Sequence, residues 1–159
     1  MPNLTRRHLL TLAAGAALLP AGACGRRRRA SSRSDEPPLY PNETPQLRRL
    51  INQYADLYDV PRPLVHRVIV RESTHRPEAI NRPYYGLMQI LPATARSMGF
   101  RGEPRDLLDA ETNLKYAVKY LRGAWLVSDG DMDAAVGWYA RGYYYEAKRR
   151  GLLKEVGLG

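Results

Sequence analysis

Apolar residues recur at intervals of three and four over most of the chain, which is the spacing that places them on one face of an α-helix. Proline, threonine or aspartate precedes each of these segments, as is common at helix N-termini. The five predicted helices run from Thr44 to Tyr58, from Pro61 to Glu72, from Pro92 to Met98, from Asp109 to Trp125 and from Asp131 to Tyr143. No segment shows a convincing strand alternation, so the pattern predicts an all-α domain.

The first 23 residues show a different pattern. Arg6 and Arg7 precede a short apolar run that ends near Leu19, and small residues follow up to Cys24. This order is typical of an export signal, and the run is too short to span a bilayer as a stable helix. The arginine pair followed by Leu9 resembles a twin-arginine signal, with a Sec signal as the alternative. We therefore expect export to the periplasm or cell envelope.

Cys24 closes this segment. The small residues before it resemble a lipobox, which predicts lipidation of Cys24 and a membrane-anchored lipoprotein; an ordinary cleavage site that leaves a free cysteine is the alternative. Gly25 favours the outer membrane if the cell has one. Residues 1–23 are thus interpreted as the signal peptide, residues 24–43 as an unstructured tether rich in Arg, Ser and Pro, and residues 44–159 as the folded domain.

Composition and charge narrow the possible partners. The 159 residues, 44% of them hydrophobic, suffice for one core, and a single cysteine excludes a disulfide framework. The short chain has no Gly-rich phosphate loop, so we expect no cofactor. The formal net charge is +9, but residues 1–36 hold seven arginines against two acidic residues. A basic run in a flexible segment binds any polyanion, so we expect no nucleic-acid partner. We also expect a monomer.

Two groups of residues raise the question of a metal site. Asp129, Asp131 and Asp133 alternate as calcium ligands do, but the rest of an EF-hand loop is missing, and a turn followed by a helix N-cap accounts for them. His66 and His75 have no Cys or carboxylate partner at a recognisable metal spacing. We interpret them as histidines of the surface or of the surroundings of a site, and expect no metal.

Glu72 continues the apolar stripe of its own helix, because Leu64, Val68 and Glu72 follow one another at intervals of four. Burial against apolar neighbours raises the pKa of a carboxyl group, and a general acid needs such a pKa to hold its proton near neutral pH. The spacing alone leaves another interpretation open, in which Glu72 ends the helix with a structural hydrogen bond.

Three ordered motifs begin at this residue. The first reads E-S-T-H-R-P-E-A-I-N from Glu72, the second G-L-M-Q-I-L-P-A-T-A from Gly86, and the third D-A-E-T-N-L from Asp109 with Y-L at Tyr120. Together they resemble the lytic transglycosylase family of the soluble, goose-lysozyme-like type, whose motifs read E-S-x-x-x-P-x-A, G-L-M-Q-[IL]-x-P-x-T-A and D-x-x-x-N-[IL]. The resemblance covers about residues 47–150 and implies a lysozyme-like helical domain of the goose-type lysozyme superfamily.

The resemblance also implies a reaction and a site. Glu72 would protonate the β-1,4 bond between N-acetylmuramic acid and N-acetylglucosamine, and would then take the proton of the muramyl C6 hydroxyl, which leaves a 1,6-anhydro end without hydrolysis. By the same resemblance, Ser73 and Gln89 offer hydrogen bonds to the sugar, Met88 lines the cleft wall, and Tyr139 forms a hydrogen bond near Glu72. The expected partners are therefore peptidoglycan glycan strands.

The chain departs from the family pattern at two places. Ala140 stands where the family motif A-Y-N-x-G has Asn, and Pro83-Tyr84-Tyr85 replaces the usual Gly-Ala. These departures put the substrate preference in doubt. A non-catalytic glycan-binding lipoprotein is one alternative, with the Ala140 change as its mark.

A lysozyme-type hydrolase is the enzymatic alternative, and it differs only in that water attacks the sugar. Most glycoside hydrolases need a second carboxylate. Glu78 is the candidate within the motifs, and we expect it to be exposed in a polar turn.

Overall fold

The computed structural model describes residues 37–159, in which helices surround one apolar core. The elements are α1 Pro45–Leu57, α2 Arg62–Glu72, β1 Ile80–Asn81, β2 Tyr84–Tyr85, α3 Pro92–Ser97, a 3₁₀ helix at Pro104–Leu108, α4 Ala110–Val127, α5 Met132–Arg141 and α6 Tyr144–Arg149. The predicted all-α class is confirmed, and all five predicted helices are present. The proposed signal, Cys24 and the first part of the tether lie outside the described residues.

The predicted caps form as hydrogen bonds from side chain to main chain. Thr44 accepts from the amide of Leu47 at 3.1 Å, and Asp109 accepts from the amide of Thr112 at 2.8 Å. Asp131 caps α5 in the same way. Each bond satisfies a main-chain donor that the first helical turn leaves unpaired, which fixes where the helix begins.

The core is organised around α4, which packs against α1, α3, α5 and the 3₁₀ helix. Its buried face is formed by Leu114, Ala117, Val118, Leu121 and Ala124. The buried face of α2 is formed by Leu64, Val65, His66, Val68 and Ile69. Within residues 37–159, no helix has the length and apolarity needed to cross a membrane.

The last predicted helix is shorter than expected, and α6, which follows it, was not predicted. α5 ends at Arg141 because Gly142 adopts φ 86° and ψ 150°, a conformation that L-residues rarely take, and α6 follows. Tyr143 lies in the break, where it is buried and donates its hydroxyl hydrogen to the carbonyl of Tyr120 at 2.9 Å. The spacing of apolar residues predicts a continuous helix to Tyr143. Such spacing indicates which positions are buried, but it carries no information on the backbone angles of Gly142.

A two-stranded hairpin, absent from the predictions, joins α2 to the second motif. β1 and β2 are antiparallel, with Ile80 opposite Tyr85 and Asn81 opposite Tyr84. Tyr85 also forms an isolated bridge with Ile90. Strands of two residues are too short to show an alternating pattern, which is why the sequence did not reveal them.

Residues 37–43, which we assigned to the tether, pack on the helical domain. Arg48 donates to both oxygens of Glu43 at 2.6 and 2.5 Å, and to the carbonyls of Pro37 and Pro38 at 3.0 Å each. Burial acts to raise the pKa of Glu43, but the hydrogen bonds from Arg48 and from the amide of Tyr40 hold it below its ordinary value. Residues 37–43 therefore belong to the same compact unit as the helices, which comprises Pro37–Gly159.

The interpretation of His66 and His75 as surface histidines was wrong. Both are buried, and the ring of Tyr40 stacks on them at centroid distances of 5.4 and 5.0 Å. They also face the carboxylate of Glu43. Burial lowers the pKa of His66 to about 4 and that of His75 below its ordinary value, so both rings are neutral at pH 7.

Candidate active site

Glu72 is the last residue of α2 and lies at the mouth of a surface cavity. Its side chain keeps 23% of its exposure, because the apolar row formed by Leu64 and Val68 ends where the cavity begins. The cavity has a volume of about 300 Å³. Its lining residues are Arg71, Glu72, Asn81, Tyr84, Gln89, Tyr139 and Ala140.

Two further cavities adjoin this one. One, of about 370 Å³, shares Glu72, Asn81 and Gln89 with it and extends toward Arg76. The other, of about 260 Å³, shares Tyr84, Gln89, Tyr139 and Ala140 with it and extends along α3 and the end of α5. Because Gln89 lines all three, we refer to them together as the groove, and Glu72 lines two of its three parts.

Burial raises the pKa of Glu72 above its ordinary value of 4.5. Nε of Arg71 lies 3.6 Å from Oε1 of Glu72, and its positive charge lowers the pKa of Glu72. This effect is smaller than the rise in pKa that burial causes. A carboxyl group with a raised pKa keeps its proton closer to neutral pH and can deliver it to a leaving group. Glu72 therefore has the properties of a general acid.

Tyr139 lies on the groove side of α5 but does not donate a hydrogen bond to Glu72. Its hydroxyl donates to the carbonyl of Met88 at 2.8 Å. Burial, with a smaller contribution from the charge of Glu72, raises the pKa of Tyr139 well above 10.0, so the hydroxyl keeps its proton. The residue holds the second motif against α5 while its ring forms part of the groove wall.

Ser73 is buried and lines the cavity that extends toward Arg76, and its hydroxyl is bound within the protein. Its hydroxyl donates to the carbonyl of Leu87 at 2.7 Å and accepts from the amide of Arg76 at 3.2 Å. Both bonds lie within the protein and connect the segment after Glu72 to the second motif. The expected hydrogen bond of Ser73 to the sugar stays a prediction, and the bonds within the protein help to hold Glu72 in place.

Gln89 is the one proposed sugar ligand that lines all three cavities. Its Nε2 donates to the carbonyls of Ala79 and Gly86 at 3.0 and 2.8 Å, and the residue adopts φ 48°. Both amide hydrogens are thus used within the protein. The side-chain oxygen remains as the atom with which Gln89 can accept from a substrate hydroxyl or amide.

This groove can be compared with known proteins. The family model described as Transglycosylase SLT domain matches residues 49–152, which is most of the described chain. The chain belongs to this family. It is therefore a transglycosylase-type enzyme related to the lytic transglycosylases that act on peptidoglycan, and its helical domain is lysozyme-like. No solved structure matches the chain.

Met88 of this SLT domain does not line the groove, contrary to expectation. Its side chain is fully buried in the core, and the three cavities are lined without it. Its main chain contributes instead, because its carbonyl accepts from Tyr139 and its amide donates to Oδ1 of Asn113 at 2.9 Å. A methionine between Leu87 and Gln89 fills core volume, as flexible apolar side chains often do.

Asn113 of the SLT domain is a supporting residue that we did not assign from the sequence. It is fully buried, and its Nδ2 donates to the carbonyls of Tyr85 and Leu107 at 2.9 and 2.8 Å. Its position in the third motif was a usable signal, because an amide on the apolar face of a helix needs buried partners. Those partners prove to be main-chain groups of Tyr85, of Met88 in the second motif and of Leu107 in the 3₁₀ helix.

The groove also contains residues that the sequence did not single out. Asn81 and Tyr84 of the hairpin line it, as does Arg141, whose guanidinium lies 3.8 Å from the ring centre of Trp138. Ala140 faces the same groove where the family has Asn.

Gly86→Ala is expected to destabilise the SLT domain by about 3 kcal/mol. Gly86 has φ 73°, and a Cβ there would overlap the carbonyl oxygen of Leu107 and the amide of Asn113. Gly99→Ala is the control, since its φ is 104° but no atom lies within 4 Å of a Cβ. We expect it to cost about 1 to 2 kcal/mol. Urea unfolding of both variants measures the difference, and equal losses would contradict the overlap.

Glu72→Gln is expected to stabilise the SLT domain at neutral pH. The pKa of Glu72 is raised on folding, so its ionised form is less favourable in the folded state, and wild-type stability falls as pH rises through that pKa. Glutamine removes this cost. The gain should shrink as pH falls and vanish below 4.5, where Glu72 becomes protonated in both the folded and the unfolded state.

Thermal unfolding at several pH values measures this gain. Glu78→Gln, which removes an exposed carboxyl group from the same groove, is the control and should show no comparable pH dependence. A Glu72→Gln variant less stable than wild type at neutral pH would show that Glu72 has a structural role instead.

Proposed function

We propose that the enzyme cleaves the β-1,4 bond between N-acetylmuramic acid and N-acetylglucosamine of peptidoglycan without water and leaves a 1,6-anhydro-N-acetylmuramic acid end. One observation carries the proposal: a single half-buried carboxyl group with a raised pKa, Glu72, lines two of the three adjoining cavities.

The carboxyl groups around the groove favour this reaction over hydrolysis. Among the described residues that line the three cavities, the acidic ones are Glu72 and Glu78. Glu78 is exposed at the edge of one cavity, whereas most glycoside hydrolases rely on two carboxylates that flank the bond. A reaction in which one carboxyl group acts twice fits this arrangement.

In the proposed reaction, protonated Glu72 gives its proton to the glycosidic oxygen as the bond to C1 of the muramyl sugar breaks. The acetamido group of the same sugar stabilises the positive charge at C1. The Glu72 carboxylate then takes the proton of the C6 hydroxyl, whose oxygen bonds to C1. Glu72 regains from the C6 hydroxyl the proton that it gave to the glycosidic oxygen, so protons and charge balance over the reaction. The attack of the C6 oxygen on C1 is intramolecular and therefore benefits from a high effective concentration.

Basic residues at the groove support an acidic glycan as the substrate. Arg71, Arg76 and Arg141 are exposed and line different parts of the groove. Peptidoglycan carries lactyl and peptide carboxylates beside its sugars, so a positive rim would attract it and place the strand. We propose that a monomer suffices, because residues of one chain surround Glu72.

We also propose that the chain is exported and anchored by a lipid on Cys24, which would place the enzyme in the cell envelope beside its substrate. The twin-arginine-like segment and the small residues before Cys24 support this location. In a cell with an outer membrane, Gly25 favours that membrane.

Glu72→Gln should reduce the cleavage of purified sacculi by at least about a hundredfold, because it removes the proton donor. Binding to insoluble peptidoglycan should remain, since Gln is nearly isosteric. Glu78→Gln is the matched variant and should retain most of the activity. If Glu78→Gln is as damaging as Glu72→Gln, a two-carboxylate hydrolase becomes the better description.

Mass spectrometry of the released muropeptides identifies the reaction itself. Anhydro ends are 18 Da lighter than hydrated reducing ends, because no water is added. We expect anhydro products from the wild-type enzyme, and hydrated ends as the main products would contradict the proposed reaction.

Cys24→Ser should abolish incorporation of labelled fatty acid and move the protein out of the membrane fraction of an expressing bacterial cell. Ser31→Ala, a substitution in the same segment, should change neither property. An unmodified mature N-terminus in mass spectra of the membrane fraction would refute the lipid anchor.

A further inference from the structure

We propose that Glu43, His66 and His75 form a binding site for a divalent transition-metal ion of the zinc class. The three residues lie away from the groove: Glu43 precedes α1, His66 is on the buried face of α2, and His75 is in the segment that follows Glu72. Imidazole nitrogens and a carboxylate oxygen are ordinary zinc ligands.

The ligand atoms have the mutual distances that such an ion requires. His66 Nδ1 lies 3.3 Å from His75 Nε2, and Oε1 of Glu43 lies 3.7 and 3.8 Å from these two nitrogens. A point about 2.1 Å from each of the three atoms lies between them, which equals a zinc–nitrogen bond length. The contacts from Glu43 to the two rings are longer than hydrogen bonds.

The orientation of the His66 ring favours coordination through Nδ1. Its other nitrogen, Nε2, lies 3.4 Å from Oδ1 of Asn52, which can only accept a hydrogen bond. The proton of the neutral ring therefore belongs on Nε2, and the lone pair of Nδ1 points at the other two ligands. Metal-bound histidines are commonly oriented in this way by an acceptor behind the ring.

His75 is held in the cluster by its Nε2. The residue is 1% exposed, and its Nδ1 has no hydrogen-bond partner within residues 37–159. Thr74 and His75 both adopt left-handed backbone angles, φ 52° and 59°, which are uncommon in consecutive residues other than glycine. The turn formed by these two residues directs the ring of His75 inward and places its Nε2 beside Glu43 and His66. The backbone is therefore held in a strained conformation at this point.

The carboxylate of Glu43 is ionised and has room for a further ligand. Oε1 accepts from Nε of Arg48 at 2.6 Å, and Oε2 accepts from Arg48 and from the amide of Tyr40. A carboxylate oxygen has two lone pairs, so Oε1 can also bind an ion. The nearby positive charge of Arg48 weakens cation binding, so we expect an affinity lower than that of a four-ligand structural zinc site.

An ion at this position would link the start of the folded domain to the segment that carries Glu72. Asn42 already donates to the carbonyl of Thr74 at 3.0 Å across the same interface. We expected no metal from the sequence, since Glu43, His66 and His75 match no ligand spacing and meet only in the fold.

The test is a metal titration of the full chain carrying Cys24→Ser, because a free thiol also binds zinc. After chelator treatment, Zn²⁺ should bind with one ion per chain and raise the melting temperature by several degrees at saturation. Co²⁺ as a spectroscopic probe should give the visible absorption of a low-coordinate site with nitrogen and oxygen ligands.

His66→Asn and His75→Asn should each abolish this binding, whereas His8→Asn, the same substitution at the remaining histidine, should leave it unchanged. Circular dichroism checks that each variant is folded. No ion bound by the Cys24→Ser chain, or equal binding by the His75→Asn variant, would overturn the proposal.

If the two histidine variants fail to fold, ¹⁵N spectra of the imidazoles in the Cys24→Ser chain decide instead. Zn²⁺ should shift the Nδ1 resonance of His66 and the Nε2 resonance of His75, and a shift of His8 alone would overturn the proposal. None of these measurements depends on glycan cleavage. A failure of the metal proposal would therefore not affect the proposed transglycosylase reaction.

Discussion

Buried hydrogen bonds to the main chain of residues 85–89 hold the catalytic groove in shape. Asn113 reaches this segment from α4, Tyr139 from α5, and Ser73 from the residue after Glu72. The loss of one such partner leaves a buried polar group unsatisfied, at a cost of about 1 to 3 kcal/mol. Because three separate parts of the chain converge on one short loop, the position of Glu72 relative to Gln89 depends on all of them.

The short segment 73–75 has a partner on each side. Ser73 binds the loop of the groove, while His75 turns back into the cluster of Glu43 and His66. Glu72 directly precedes this segment, so its carboxyl group is positioned from both sides and not only by α2. A catalytic group that must meet a glycosidic oxygen closely benefits from this rigidity.

The surroundings of Glu72 have opposite effects on stability and on chemistry. Partial burial raises its pKa, which favours the protonated form that a general acid needs. The same burial makes the ionised form costly at neutral pH, so the fold is less stable with glutamate there than with a neutral residue. The charge of Arg71 lowers this pKa but does not outweigh the effect of burial.

The sequence by itself determined the helical class, the caps of α1, α4 and α5, and the position of Glu72 on an apolar stripe, because helix periodicity and cap chemistry are local. Only the tertiary structure decided which polar groups are free for substrate. It bound the hydroxyl of Ser73 to the main chain, buried the side chain of Met88, left Gln89 in the groove and buried His66 and His75 beside Glu43. Those outcomes depend on partners distant along the chain, and neither periodicity nor spacing carries that information.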